Sequence, residues 1–399
     1  MEAKGVIHLE IKATGLHRYF GSPSAMYDNY TSQELGIARQ SLLNYWQKTE
    51  EPYENAVCII RKGELERKKK DKNRIMKVYK YRANLFNEKE KRRRDTESLL
   101  KNEFYAAKFK ELNDPFECSF DLQMKDSDKT TFYNSINPLD VGIYSLGMLQ
   151  QEELFPSHEL MWAHYANSHK GFCIEYDLDK MLQSSYPDFD IRNKITVIYQ
   201  PNMPTIVKED FNDIFGIQKK VFGTKSLAWE YENEIRLVFL ESGIKHYSQE
   251  IVTGIYFGLN IGLEERNLII NKLKRKNIKF YQINRTNNSY KLSCSELNES
   301  DIYNYQIISQ SSNMIVDNYN VLYLGVNKDK ITMQNFVNEF RRGKYKPTNI
   351  TIYDDLRVEK CINKWSSQTT EEEKQILAKH WITYAPFDIA PIIWMYPES

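Results

Sequence analysis

Lys225-Ser226-Leu227-Ala228-Trp229-Glu230-Tyr231-Glu232-Asn233-Glu234-Ile235-Arg236-Leu237-Val238-Phe239 carries an acidic, aromatic approach straight into an apolar strand. Residues of period two share a face of a strand. Ile235, Leu237 and Phe239 therefore belong to one face, with Glu234 at the strand's mouth. The same period puts Glu232 and Glu234 on a shared side. Two carboxylates that close raise the pKa of one of them, which suits hydroxyl binding or acid–base work. The structural alternative is a rim on which Glu234 pairs with Arg236 or another arginine.

Upstream, Met76-Lys77-Val78-Tyr79-Lys80-Tyr81-Arg82 alternates β-favouring aromatics with polar residues and ends on an arginine. A helix with a basic face is expected over 88–101, and a strand at 104–107. Asn113-Asp114-Pro115-Phe116 is turn chemistry, since Asn and Asp bond nearby backbone and Pro115 fixes φ. Such a loop either plugs the core with Phe116 or positions Asn113 and Asp114 in a pocket. Residues 141–146 read as a buried strand that reaches Ser145. A capped helix spans 156–166, where Leu160, Met161, His164 and Tyr165 recur on one 3.6-residue face. Gly171 would close it in the left-handed region. Further strands are expected at 172–177 and 195–199. Trp162 and Tyr165 are wall or core aromatics. His158, His164 and His169 are spaced by six and five, which stacks them on no single helical face. That spacing argues against zinc, and no metal is expected.

The flanking regions differ in kind. Residues 1–75 contain a helical stretch, 31–46, opened by the cap-like Thr31 and Ser32. They end in the charged run Arg67-Lys68-Lys69-Lys70-Asp71-Lys72-Asn73-Arg74, and a mostly helical segment is expected. Residues 296–399 read as a small α/β unit. Its strands are expected at 321–326, 349–353 and 392–395, and its helices at 332–341, 356–365 and 370–381, the last with a Thr370/Glu373 capping box. The whole is an α+β chain of 399 residues. It has a central mixed or antiparallel sheet domain at 76–295 and a C-terminal α/β domain.

Composition bounds the function. Lys and Arg number 55 against 54 Asp and Glu, a net charge of +1, which argues against a protein that coats nucleic acid. Sixteen glycines in 399 residues leave little for Gly-rich phosphate loops. A nucleotide would have to be held by arginine and aromatic side chains. Five scattered cysteines form no C-x-x-C pair and read as reduced thiols. The N-terminus shows no apolar signal region, and no stretch approaches the ~20 apolar residues of a membrane span. A cytoplasmic protein is expected, with no membrane partner and with its oligomeric state left open.

The series Tyr79-Lys80-Tyr81-Arg82, Asn113-Asp114-Pro115-Phe116, Met161-Trp162-Ala163-His164-Tyr165-Ala166-x-x-His169-Lys170-Gly171 and Trp229-x-Tyr231-Glu232-x-Glu234-x-Arg236 resembles the bacterial domain of unknown function 2971 family over about 76–295. A second likeness is to ADP-ribosyltransferases. Those enzymes set an arginine or histidine, then a serine or tyrosine, then the glutamate of an E-x-E turn on successive strands. Arg82, Ser145 and Glu232-x-Glu234 stand in that order. The resemblance implies that NAD is the substrate and that an arginine fork grips its phosphates. It further implies that Glu234 bonds the ribose and steadies an oxocarbenium-like transition state, while Glu232 activates an acceptor. The remaining candidate binding residues are Asn113, Asp114, Trp162, His164, Tyr165 and Arg236. By analogy alone, such an enzyme would serve as a toxin-like effector in stress response or antiviral (phage) defence, with a protein or nucleic-acid acceptor. The competing reading is an RNA- or DNA-binding module without catalysis. It rests on the runs 67–74, 89–94 and 272–276 and their interleaved tyrosines.

Overall fold

In the computed structural model the chain folds as two compact units, Met1–Arg74 and Ile75–Ser399. The described residues are 5–64, 76–136, 141–184, 186–362, 364, 366–389 and 391–396. The basic run 67–74 lies outside them.

The first unit is built on a four-stranded sheet, which overturns the expectation of a mostly helical segment. Its order is Leu16–Phe20, Gly5–Ile11, Cys58–Glu64, Tyr53–Glu54, all antiparallel. The cause is local alternation. Ile7, Leu9 and Ile11 recur at period two between polar neighbours, and Ile7 and Leu9 enter a core with Met26, Leu35, Leu42 and Ile60. The expected helix is present as Ser32–Leu35 and Arg39–Lys48. Gly36 breaks it at φ 67°, a left-handed stop. Thr31 and Glu34 close a capping box.

The second unit is α+β and contains two large sheets. Eight strands run in the order Ile191–Thr196, Glu234–Phe239, Gly142–Gly147, Lys77–Arg82, Phe172–Asp177, Val252–Phe257, Lys279–Arg285, Leu292–Glu296. All neighbours are antiparallel except Val252–Phe257 with Lys279–Arg285, which the helix Leu263–Leu273 joins in a β-α-β unit. Ile235, Leu237 and Phe239 pack on one face with Val78, Tyr144, Leu146 and Ile174, as the period of two required.

Five further strands, Tyr305–Ser312, Asp317–Tyr323, Thr348–Tyr353, Trp381–Ala385 and Ile393–Trp394, form the second sheet. Asp317–Tyr323 and Thr348–Tyr353 are parallel, with the helix Lys330–Arg341 between them in sequence. Met333, Phe336, Val337 and Phe340 bury one stripe of that helix. Thr370 and Glu373 form the expected capping box of the helix Glu371–His380. The helix expected at 356–365 is instead a 3₁₀ turn, Leu356–Val358, followed by Glu359–Ile362. Arg266 ties the two sheets together through Glu339, Gln282 and the Asp301 carbonyl. No helix among the described residues is long and apolar enough to cross a membrane.

Candidate functional site

The eight-stranded sheet splits at its centre. Lys77–Arg82 and Gly142–Gly147 pair only through Tyr79 and Gly147. Beyond that point the strands diverge, and a cleft of about 770 Å³ opens between them. That volume lies within the usual range for a small-molecule site, roughly 300–1,000 Å³. Parting two strands strips the ladder of partners, and buried carbonyls must then find others. Lys80 supplies one: its Nζ donates to the Ser145 carbonyl at 2.8 Å.

Seven of the ten residues singled out from the sequence line this cleft: Arg82, Asn113, Ser145, Tyr165, Glu232, Glu234 and Arg236. The register explains how they meet. Gly147 pairs with Glu234 and Ser145 with Arg236 across adjacent strands, while Tyr79 pairs with Gly147 on the other side. Residues some 65 and 90 positions apart thus reach one place. The other three do not line the cleft. Asp114 is buried as a turn former, its carboxylate accepting the Phe116 N–H at 2.9 Å. Trp162 is fully buried, donates from Nε1 to the Pro156 carbonyl and meets Tyr81 edge-on at 5.1 Å. His164 is exposed on the helix Glu159–Tyr165, with its ring edge-on to Tyr165 and tilted against Tyr231.

One wall is a chain of alternating charges. Arg236 is 1% exposed and donates to Glu117, to the Phe222 carbonyl at 2.8 Å and to Glu234 Oε2 at 2.9 Å. Lys225 Nζ donates to Glu232 Oε2 at 2.5 Å and stands 3.7 Å from Glu234 Oε2. It also lies 4.7 Å from the Trp229 ring centre. Tyr165 donates to Glu232 Oε1. The pairing of Glu234 with Arg236, the structural alternative, is therefore real.

The local fold differs from the sequence reading at one point. Glu232 ends a 3₁₀ helix, Leu227–Glu232, and is not on the strand. Asn233, at φ 43°, turns the chain between the two carboxylates. Both still reach the cleft, but by a left-handed turn and not by strand alternation.

Environment separates the two acids. Burial raises the pKa of Glu232, and the neighbouring Glu234 adds to this against the pull of Lys225. Burial also opposes ionisation of Glu234, yet Arg236 and Lys225 outweigh it and hold that carboxyl below its ordinary range. A pair pushed apart in this way can divide the roles of proton carrier and fixed charge. Ser145 lies beside Glu234, and its buried hydroxyl helps to hold that carboxyl down.

Lys80 and Lys225 are functional candidates that the sequence reading passed over. Burial, with Arg82 nearby, brings the Lys80 ammonium down to about 8. Its Nζ sits 5.0 Å from the Tyr144 ring centre. Arg82 donates to the Tyr144 hydroxyl at 3.3 Å, and that hydroxyl meets the Tyr176 hydroxyl at 3.2 Å. The available signal is that Lys80 shares its strand face with Arg82, the arginine already singled out.

The helix 156–166 ends differently from expectation. Asn167, Ser168 and His169 all take positive φ, at 48°, 52° and 67°, and Gly171 does not. Gly171 is required for another reason: a Cβ there would stand 1.9 Å from the Arg82 carbonyl oxygen. The helix expected from 88 begins only at Arg94, after a short pairing of Phe86–Asn87 with Arg92–Arg93. Among the described residues no cluster of three or more His, Cys, Asp or Glu side chains stands ready for a metal ion.

Residues 161–237 match the model of a family described as Protein of unknown function (DUF2971). The matched segment holds the helix of Trp162 and Tyr165, the strand of Glu234 and Arg236, and Lys225 and Glu232 between them. No curated protein and no solved structure matches the chain.

Proposed function

We propose, from the premise that residues 161–237 are a DUF2971 segment, that the split-sheet cleft binds a nucleotide and cleaves the glycosidic bond of NAD, by hydrolysis or by ADP-ribosyl transfer. The observation that carries this reading is the meeting of Arg82, Ser145, Glu232 and Glu234 in one cleft with the two carboxyls pushed in opposite directions. Lys80 and Arg82 offer the cationic floor on which a phosphate would rest. Glu234, held ionised, is the fixed negative charge that favours an oxocarbenium-like ribose as nicotinamide departs. Its contacts with Arg236 and Lys225 both fall on Oε2, so Oε1 is the oxygen for a ribose hydroxyl. Glu232 is the general base that takes a proton from the incoming water or acceptor. The bond from ribose C1′ to nicotinamide breaks with its electron pair, the new C1′–O bond forms, and the acceptor's proton passes to Glu232.

The nucleic-acid reading has less to stand on. In the run 89–94, Arg92 is engaged by Glu90 and Glu97, and Arg93 by Glu265.

Incubation with NAD tests the proposal. Wild type should release nicotinamide, and Glu232→Gln should slow release by about 10²-fold or more, the usual size of a general-base contribution. The pH profile has a fixed sign. Below the raised pKa of Glu232 the base is protonated, so kcat/KM climbs as pH passes that value. Above about 8 Lys80 loses its charge in the free protein, and kcat/KM falls again. No nicotinamide release from wild type across pH 5–9 would sink the reaction assigned here.

A further inference from the structure

We infer that the cleft carries a second anion subsite on the helix Arg94–Lys101, and that its ligand is a nucleotide bearing a diphosphate, not a monophosphate. This rests on the nucleotide reading above, whose NAD already carries a diphosphate, and adds the residues that would hold the second phosphate. Arg94, Ser98 and Lys101 all line the cleft. Their spacing of four and then three residues aligns them on one helical face. Seven residues at about 1.5 Å each make that stripe ~10 Å long.

Charge bookkeeping in the cleft singles out these cations. Arg236 and Lys225 are committed to Glu117, Glu234 and Glu232. Arg92 is committed to Glu90 and Glu97. Among the described residues, Lys80, Arg94 and Lys101 have no carboxylate within ion-pair distance. The two acids on the same helix are already engaged. Asp95 accepts the Asn84 N–H at 2.8 Å and faces Arg82 at 3.8 Å, while Glu97 holds Arg92 at 2.8 Å.

The free positive charge of the cleft is therefore placed at two stations, Lys80 on the floor and Arg94 with Lys101 on the wall. Between a cation and a phosphate, charge-assisted hydrogen bonds are the strong kind. Tyr105 supplies the third element. It lines the same cleft, is 38% exposed, and has the Arg94 guanidinium 5.9 Å from its ring centre. An arginine already over an aromatic face is preorganised for an anion with a planar base beside it.

Calorimetric titration of AMP and ADP into the full chain at pH 7 tests this. Wild type should bind ADP at least tenfold more tightly than AMP, with a steeper loss of ADP affinity on raising salt. The double variant Arg94→Gln/Lys101→Gln should bring ADP to within about twofold of AMP. Both side chains are exposed, and glutamine is a good helix former, so a thermal melt matching wild type is expected to accompany the loss. Equal affinity of wild type for AMP and ADP, or an equal loss of both in the double variant, overturns the second subsite while leaving a nucleotide cleft standing. No binding of either nucleotide to wild type overturns the nucleotide reading, and this inference with it.

Discussion

Replacing Arg236 by methionine should cost the second unit about 3–5 kcal/mol, the penalty for stranding a buried charge. Arg236 is enclosed between Glu117 and Glu234, whose side chains are 4% and 7% exposed, and it also satisfies the Phe222 carbonyl. The variant leaves both carboxylates without their guanidinium, and Lys225 remains 3.7 Å from Glu234. The sign of the pH dependence follows from Glu234, whose folded pKa is depressed. Such a group stabilises the fold above its ordinary pKa, and the stabilisation is lost as pH falls through the folded value. The deficit of the variant, read by urea denaturation, should therefore be largest near neutrality and shrink in acid. A triple variant, Glu117→Gln/Arg236→Met/Glu234→Gln, should recover much of the loss, because buried charges removed together leave no unpaired ion. A deficit under 1 kcal/mol in the single variant would show that Arg236 is not the enclosed hub described here.

Gly171→Ala should be comparably severe, about 3 kcal/mol at the top of the range for overpacking, and for a purely steric reason. The new Cβ would meet the Arg82 carbonyl oxygen at 1.9 Å and its carbonyl carbon at 3.0 Å, with the Ala166 oxygen at 3.2 Å. All are backbone atoms in ladders or helix ends, so none can swing aside as a side-chain tip can. The strand Lys77–Arg82 must shift, and Lys80 and Arg82 shift with it. Nucleotide affinity should fall along with stability. An alanine variant that melts with wild type would mean the two segments lie farther apart than this.

The same contact marks what was legible in the sequence. The left-handed closure expected at Gly171 belongs to Asn167, Ser168 and His169, and the need for glycine at 171 comes from the Arg82 carbonyl. A single chain of letters signals left-handed turns through Gly and Asn. It cannot signal which backbone will later press against a glycine from 89 residues away. Glu232, Glu234 and Arg236 were visible because carboxylates just before an apolar strand are conspicuous. Lys80 was not, since a lysine alternating with tyrosines reads as the wet face of a strand. Only the splitting of the sheet, a tertiary event, turns that face into a cleft floor. Lys225 is hidden for a similar reason: its partner is a carboxylate seven residues on, across a 3₁₀ turn. In the first unit the Thr31 cap was the louder signal, and the shorter alternation of Ile7, Leu9 and Ile11 was missed.

The central claim is that a nucleotide occupies the split between the strands Lys77–Arg82 and Gly142–Gly147. A crystal structure of the full chain with a non-cleavable carba analogue of NAD tests it most directly. The expected map shows a phosphate oxygen within hydrogen-bond distance of Lys80 Nζ or the Arg82 guanidinium, and a ribose hydroxyl on Glu234. Ligand density elsewhere on the chain, with this cleft holding only solvent at saturating analogue, would contradict the account.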